Sequence, residues 1–166
     1  MEIYADPIIR KYRELIEQAM PGVFRYIYQG DPLAVPKSNV PALIISKSQT
    51  RIGVHTNAED EHEIRMVMTV ITDIRDEASD DQKLVPGIAR LYDIMEGRDS
   101  TTFALKPNTV MDVIRSNIII DAANNLRTDL GSITTVDYGM TLGKRDREAL
   151  AVEAQIEFIA SFTQQR

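Results

Sequence analysis

The sequence has no cysteine and no tryptophan, and its aromatic residues are six tyrosines and four phenylalanines. Without cysteine there is no disulfide framework, thiolate nucleophile, Cys-ligated zinc or iron–sulfur centre. Without tryptophan the core must be mainly aliphatic. Long apolar runs are also missing. Runs such as Leu43-Ile44-Ile45 and Ile118-Ile119-Ile120 are far too short to span a bilayer, so no membrane association is expected. The opening residues Met1 to Asp6 have neither a basic stretch nor an apolar one, which predicts no signal peptide. Basic clusters are scarce, and the one short example is Lys144-Arg145-Asp146-Arg147. With a formal charge of -6, scattered cations argue against sequence-reading nucleic-acid binding, which needs clustered Lys and Arg. Such a charge suits a protein that sits near DNA without gripping it.

Catalytic signatures are equally sparse. There is no G-x-G-x-x-G and no G-x-S-x-G. Lys144 follows Gly143 without the earlier glycine or the following Ser/Thr of a phosphate-binding loop. A Ser–His–acid triad would need His55 or His62, the two histidines of the chain. A spatial pair of carboxylates for glycoside hydrolysis leaves no trace in spacing. His55 and His62 lie among Glu59, Asp60, Glu61 and Glu63, the one grouping that resembles metal ligands. His62-Glu63 begins the H-E-x-x-H pattern, but after Ile64 and Arg65 the place of its second histidine is taken by Met66. The grouping reads as a charged, solvated turn. Asp73, Asp76, Asp80 and Asp81 could be imagined around Mg²⁺ or Ca²⁺, yet the stretch Asp76 to Asp81 lacks the turn glycine of a calcium loop. It reads as a solvated acidic loop. No catalytic residue, metal or cofactor is expected.

What the sequence does have is an ordinary globular composition, 43% hydrophobic and 27% charged over 166 residues, enough for one domain with its own core. Asp6-Pro7 is a helix start, and Ile8, Tyr12, Leu15, Ile16, Ala19 and Met20 recur at helical spacing until Pro21-Gly22. Val23 to Tyr28 predicts a strand, and the prolines at 32, 36 and 41 a loop over 29–41. Ala42 to Ser48 predicts a second strand whose continuation to His55 is unclear, followed by an exposed turn at Asn57 to Glu61. Glu63 to Arg75 alternates, with Ile64, Met66, Met68, Val70, Thr72 and Ile74 on one face, so it predicts a strand with a buried face. Met66 and Met68 read as core filler. The segment 76–83 reads as an acidic loop.

Helices are predicted over 84–96, from Leu84, Ile88, Leu91, Tyr92 and Met95, and after Pro107, with Val110, Val113 and Ile114 inward. Residues 118–130 are ambiguous, Ser132 to Tyr138 predicts a strand, and Gly139 to Arg147 a hairpin loop. The final segment, 148–162, has Leu150, Val152, Ala154, Ile156, Phe158, Ala160 and Phe162 at every second position. Ala, Leu and Glu favour helices, but a helix would spread these residues around its circumference, so period predicts a strand.

The expected fold is therefore α+β: residues 1–166 as one domain, a mainly antiparallel or mixed sheet packed with about three helices. This order resembles the tail-terminator (tail-completion) proteins of long-tailed bacteriophages. The resemblance rests on Pro41-Ala42-Leu43-Ile44-Ile45, the alternating Glu63 to Val70, the segment Asn125 to Ile133 leading towards Tyr138, and the alternating last strand. It implies a structural virion protein, assembled in the host cytoplasm. It implies a hexameric ring of identical subunits closing the tail tube and meeting the tube protein and the neck or connector proteins. DNA would pass through the lumen unbound. The candidate interaction loops are 49–62, 76–83 and 139–147, with Gln49, Arg51, His55, Glu59, His62, Asp80, Asp81, Lys144 and Arg145 as candidate contact residues. The alternatives are another neck or head-completion protein, a small metal-dependent hydrolase around His55 and His62, or a small-molecule-binding domain, for which no pocket signature is present.

Overall fold

A computed structural model describes residues 6–32, 34–73, 86–133, 135–142 and 150–166. Helix α1 spans Pro7–Ala19, with Pro7 in its first turn. The Asp6 carboxylate caps it, accepting from the Ile8 and Ile9 amides at 3.0 and 3.1 Å. Of the predicted stripe Tyr12 and Ile16 are buried, Ile8, Leu15 and Ala19 are partly buried against the core, and Ile9, outside that stripe, is buried with them.

Strand β1 (Tyr26–Gln29) lies parallel to β2 (Ala42–Val54). β2 is antiparallel to β3 (Glu59–Asp73), which is antiparallel to β7 (Leu150–Gln165). Along its other edge β7 carries two partners in succession. β6 (Val136–Leu142) pairs with its first half and β5 (Leu126–Asp129) with its second, and β4 (Ile119–Asp121) lies outside β5. With α2 (Pro86–Glu96) and α3 (Val110–Ser116), the described residues form three helices and a mixed seven-stranded sheet, the α+β class expected.

The helices cover one sheet face. Ile64, Met66, Met68 and Val70 of β3 meet Val152, Ala154, Ile156 and Phe158 of β7 in one cluster with Tyr12, Leu91, Met95, Val113 and Ile114. Period two puts alternate residues on opposite faces, so the other face is lined by Ile44, Val67, Thr69, Ile71 and their neighbours. At that end of the sheet it is covered by the proline-rich connection: Val35 is buried against Ala42, Ile44 and Ile71, with Tyr28 and Val40 around them. β3 is therefore buried on both faces from Met66 to Asp73, more than a single apolar face would require.

Several boundaries differ from those the sequence predicts. Val23 and Phe24 pack against the core from outside any strand, and β1 starts at Tyr26. α2 is described from Pro86, the expected start at 84 lying outside the described residues, and Tyr92, expected inward, is 45% exposed at its rim. α3 starts at Val110 and not at Pro107, because Asn108 takes a left-handed φ of 62° and Thr109 becomes the cap, accepting from the Asp112 amide at 3.2 Å. Residues 118–130 resolve into the β4–β5 hairpin. Leu130–Ser132 is a 3₁₀ turn, so the next strand starts at Val136 rather than Ser132. Gly139 to Leu142, expected in a loop, continue β6 against β7. β7 runs to Gln165, three residues past the predicted end. Ile74 and Arg75, the 76–83 loop and residues 143–149 lie outside the described residues.

Candidate functional site

The 49–62 excursion, expected as an unclear continuation and a turn, is a ladder. β2 continues to Val54 and β3 begins at Glu59, so a short turn joins them and Glu59 to Glu61 are strand. The ladder shifts register between Lys47 and Gln49 and then pairs Thr50 with Ile64, Ile52 with His62 and Val54 with Asp60. On its far side β3 pairs His62 with Phe162 of β7. β1 pairs only with Ala42 to Ile45, so among the described residues no strand lies along the outer edge of β2 from Lys47 to Val54.

The backbone of this edge can be oriented. His55 donates its amide to the Glu59 carbonyl at 3.0 Å, across the turn. In an antiparallel pair alternate residues aim their amide and carbonyl at the partner. Arg51 and Gly53 therefore face β3, whereas Thr50, Ile52 and Val54 aim theirs outward. Ile52 is 63% exposed and Val54 73% exposed, the two barest large apolar side chains of the excursion. Both share the helix-covered face with Ile64 and Phe162, beyond the helices' reach.

The candidate contact residues divide accordingly. Gln49, Arg51 and Glu63 line a shallow depression with Arg65 and Ile159 on the face away from the helices. His55 stands beside Glu61, Nδ1 to Oε2 3.9 Å. His62 is on the opposite face, stacked on Phe162 with ring centroids 4.6 Å apart. Alternation thus separates the two histidines, and among the described residues no group of three metal-ligating side chains converges. Glu59 opens β3 opposite Gln165. Asp60 is held by Arg166, whose Nη2 is 2.7 Å from Oδ1, and that hydrogen bond keeps the Asp60 carboxyl below its usual range. Asp73 is buried, 3.5 Å from the Lys37 ammonium. Asp80, Asp81, Lys144 and Arg145 lie outside the described residues.

The concave features are open. A groove of about 700 Å³ beside the start of α1 is lined by Ile8, Lys11, Asp121, Asn125, Phe162 and Thr163. Its polar groups engage one another, Lys11 with Asp121 at 3.5 Å and Asn125 with Thr163 at 3.1 Å. A smaller hollow lies between Tyr92, Glu96, Arg98 and Tyr138. There burial, reinforced by the nearby Glu96 carboxylate, raises the Tyr138 hydroxyl pKa.

The open sheet face is acidic. Glu61, Glu63, Glu153 and Glu157 of β3 and β7, with Asp129 of β5 and Asp137 of β6, share it with Arg51, Arg65 and Arg127. Ile52, Val54 and Tyr138 are among the exposed apolar residues that sequence reasoning passes over. A signal for the first two exists in the alternation Thr50, Ile52, Val54, hidden behind the polar run Lys47 to Arg51.

The chain matches no protein-family model and no curated protein. Among the described residues no helix is long and apolar enough to cross a membrane.

Proposed function

We propose that the chain is a structural ring subunit, the tail terminator of a long-tailed phage, closing the head-proximal end of the tail tube as a hexamer and meeting the neck. The observation that carries this reading is the strand edge from Lys47 to Val54, unpaired among the described residues, which presents Ile52 and Val54 to solvent. Unpaired edges are normally blunted or covered, so a long edge with apolar side chains favours a protein partner over a free monomer. The acidic open face supports the same reading. Carboxylates lining a lumen would repel the phosphates of passing DNA and let it slide without binding. In this reading the protein carries no catalysis and no cofactor, and it belongs to the virion.

Native mass spectrometry and negative-stain microscopy of the purified chain, alone and with tubes of a tail tube protein, test it. The expected result is a sixfold ring that caps one tube end. A chain that stays monomeric in both conditions and leaves tube ends bare overturns it.

A further inference from the structure

Besides β1 and β4, which end the ladder among the described residues, β6 also leaves an edge open. β6 pairs with β7 on one side, and among the described residues nothing pairs along its other side. Its outward backbone groups follow from the same alternation. β3 aims its odd residues at β2 and its even residues at β7, so the even residues of β7 aim back at β3 and its odd residues at β6. The Ile159 amide confirms the sense, donating at 2.8 Å to the Ser132 hydroxyl on the β6 side. Asp137 and Gly139, opposite Gln155 and Glu153, therefore face β7, and Val136 and Tyr138 aim their amides and carbonyls outward.

We infer that the outer edge of β2 in one copy pairs antiparallel with the outer edge of β6 in the next, with Ile52 opposite Tyr138. The inference rests on the ring reading and names its joint. Three observations favour a second copy of this chain as the occupant. Directions agree, since β2 runs antiparallel to β3, β3 to β7 and β7 to β6, so β2 and β6 of like-oriented copies are antiparallel. Side chains agree on the helix-covered face, where exposed Ile52 and Val54 would meet Tyr138 and Val136, pairs of the aromatic and β-branched kind that stabilise sheets. Charges agree on the open face, where Arg51 would stand diagonal to Asp137. The two edges belong to different strands, so the contact is head-to-tail, the kind that builds a ring when its rotation closes.

The absence of cysteine gives a clean test. Backbone-bonded antiparallel neighbours have Cα atoms about 5.5 Å apart, within disulfide reach. Within one chain positions 52 and 138 are separated by three strand spacings, about 14 Å or more, which forbids an internal bond. The double variant Ile52→Cys/Tyr138→Cys, oxidised after assembly, is expected to give a covalent ladder ending at the closed ring. Val54→Cys/Val136→Cys serves as the second pair, should loss of the Tyr138 ring disturb folding. Each single variant is expected to give no ladder. A ring by native mass spectrometry with no ladder from either pair overturns this joint and leaves the ring reading standing. Dimers from Ile52→Cys alone mean β2 pairs with β2 and overturn the head-to-tail joint. A chain that never assembles overturns both readings.

Discussion

The His62 imidazole lies flat on the Phe162 ring, the planes 7° from parallel and the centroids 4.6 Å apart. Directly opposite on β2 is Ile52, so one row crosses three strands. The histidine that looked most like a metal ligand is thus a side-chain pair of the sheet. Aromatic pairs contribute about 0.5–1.5 kcal/mol beyond buried area. His62→Ala is expected to lower stability by about 1 kcal/mol in urea titration, and His62→Phe to keep it. Added Zn²⁺ is expected to leave the thermal midpoint unchanged. A zinc-dependent rise that His62→Ala abolishes would restore the metal reading.

Tyr12 ties α1 to β5. Its hydroxyl lies 2.6 Å from that of Thr128, and its ring is 5.1 Å from Phe158. Both Tyr12 and Thr128 are buried, so removing one hydroxyl strands the other. Tyr12→Phe is expected to cost about 1–3 kcal/mol, and adding Thr128→Val to cost less than the sum of the single changes. Burial raises the Tyr12 pKa to about 12, opposed by the Thr128 hydrogen bond. The folded value lies above the ordinary 10.0, so the native state holds its proton longer. That contribution is complete below pH 10 and is lost as pH rises from 10 towards 12. Alkaline unfolding followed by circular dichroism should therefore be shallower in Tyr12→Phe. An unchanged slope would mean that Tyr12 is not the group titrating.

What the sequence makes legible depends on whether an element's pattern is local. The Asp6-Pro7 cap and the recurrence of Ile8, Tyr12, Leu15, Ile16 and Ala19 predict α1 within a residue, because capping and helical spacing are local. The alternation in β7 overrides its helix-favouring Ala and Glu, since only a strand buries Val152, Ala154, Ile156 and Phe158 together. β3 is harder. Its apolar face is legible, but on the other face Ile71 is buried by Val35 crossing from the proline-rich loop, a contact made in space. The extension of β2 is hidden because Lys47 to Arg51 is wholly polar. Those residues form a strand because β3 offers a ladder and because the Lys47 ammonium hydrogen-bonds Asp6.

That Lys47–Asp6 contact predicts an acid response. Burial alone would raise the Asp6 carboxyl. The Lys47 hydrogen bond and the Ile9 and Ile8 amides outweigh it and hold the pKa below 3.8. A lowered folded pKa means that the ionised form stabilises the native state above pH 3.8 and that this is lost as pH falls through the folded value. Asp6→Asn keeps a capping oxygen and loses the charge, so it is expected to flatten the acid limb of the stability curve. Asp6→Ala also loses the cap and is expected to cost about 1 kcal/mol at neutral pH. Equal stability of Asp6→Ala and the parent chain in urea would remove the cap from the account of α1.

The last prediction separates folding from assembly at the β2 edge. Ile52 is mostly exposed and its backbone amide faces outward, so a lysine there breaks no ladder bond and empties no core. Ile52→Lys is expected to change unfolding free energy by no more than about 0.5 kcal/mol, as ordinary surface substitutions do. In an assembled ring the same lysine would sit inside a strand pair, its charge desolvated against Tyr138 of the neighbour. Ile52→Pro removes the outward amide instead, a change tolerated where an edge faces solvent. Both variants are expected to stay folded by circular dichroism and to be monomeric by native mass spectrometry. The parent-like control is Arg115→Lys, an exposed position of α3 distant in sequence from either edge. Intact rings from Ile52→Lys and Ile52→Pro alike would place the subunit contact elsewhere on the molecule.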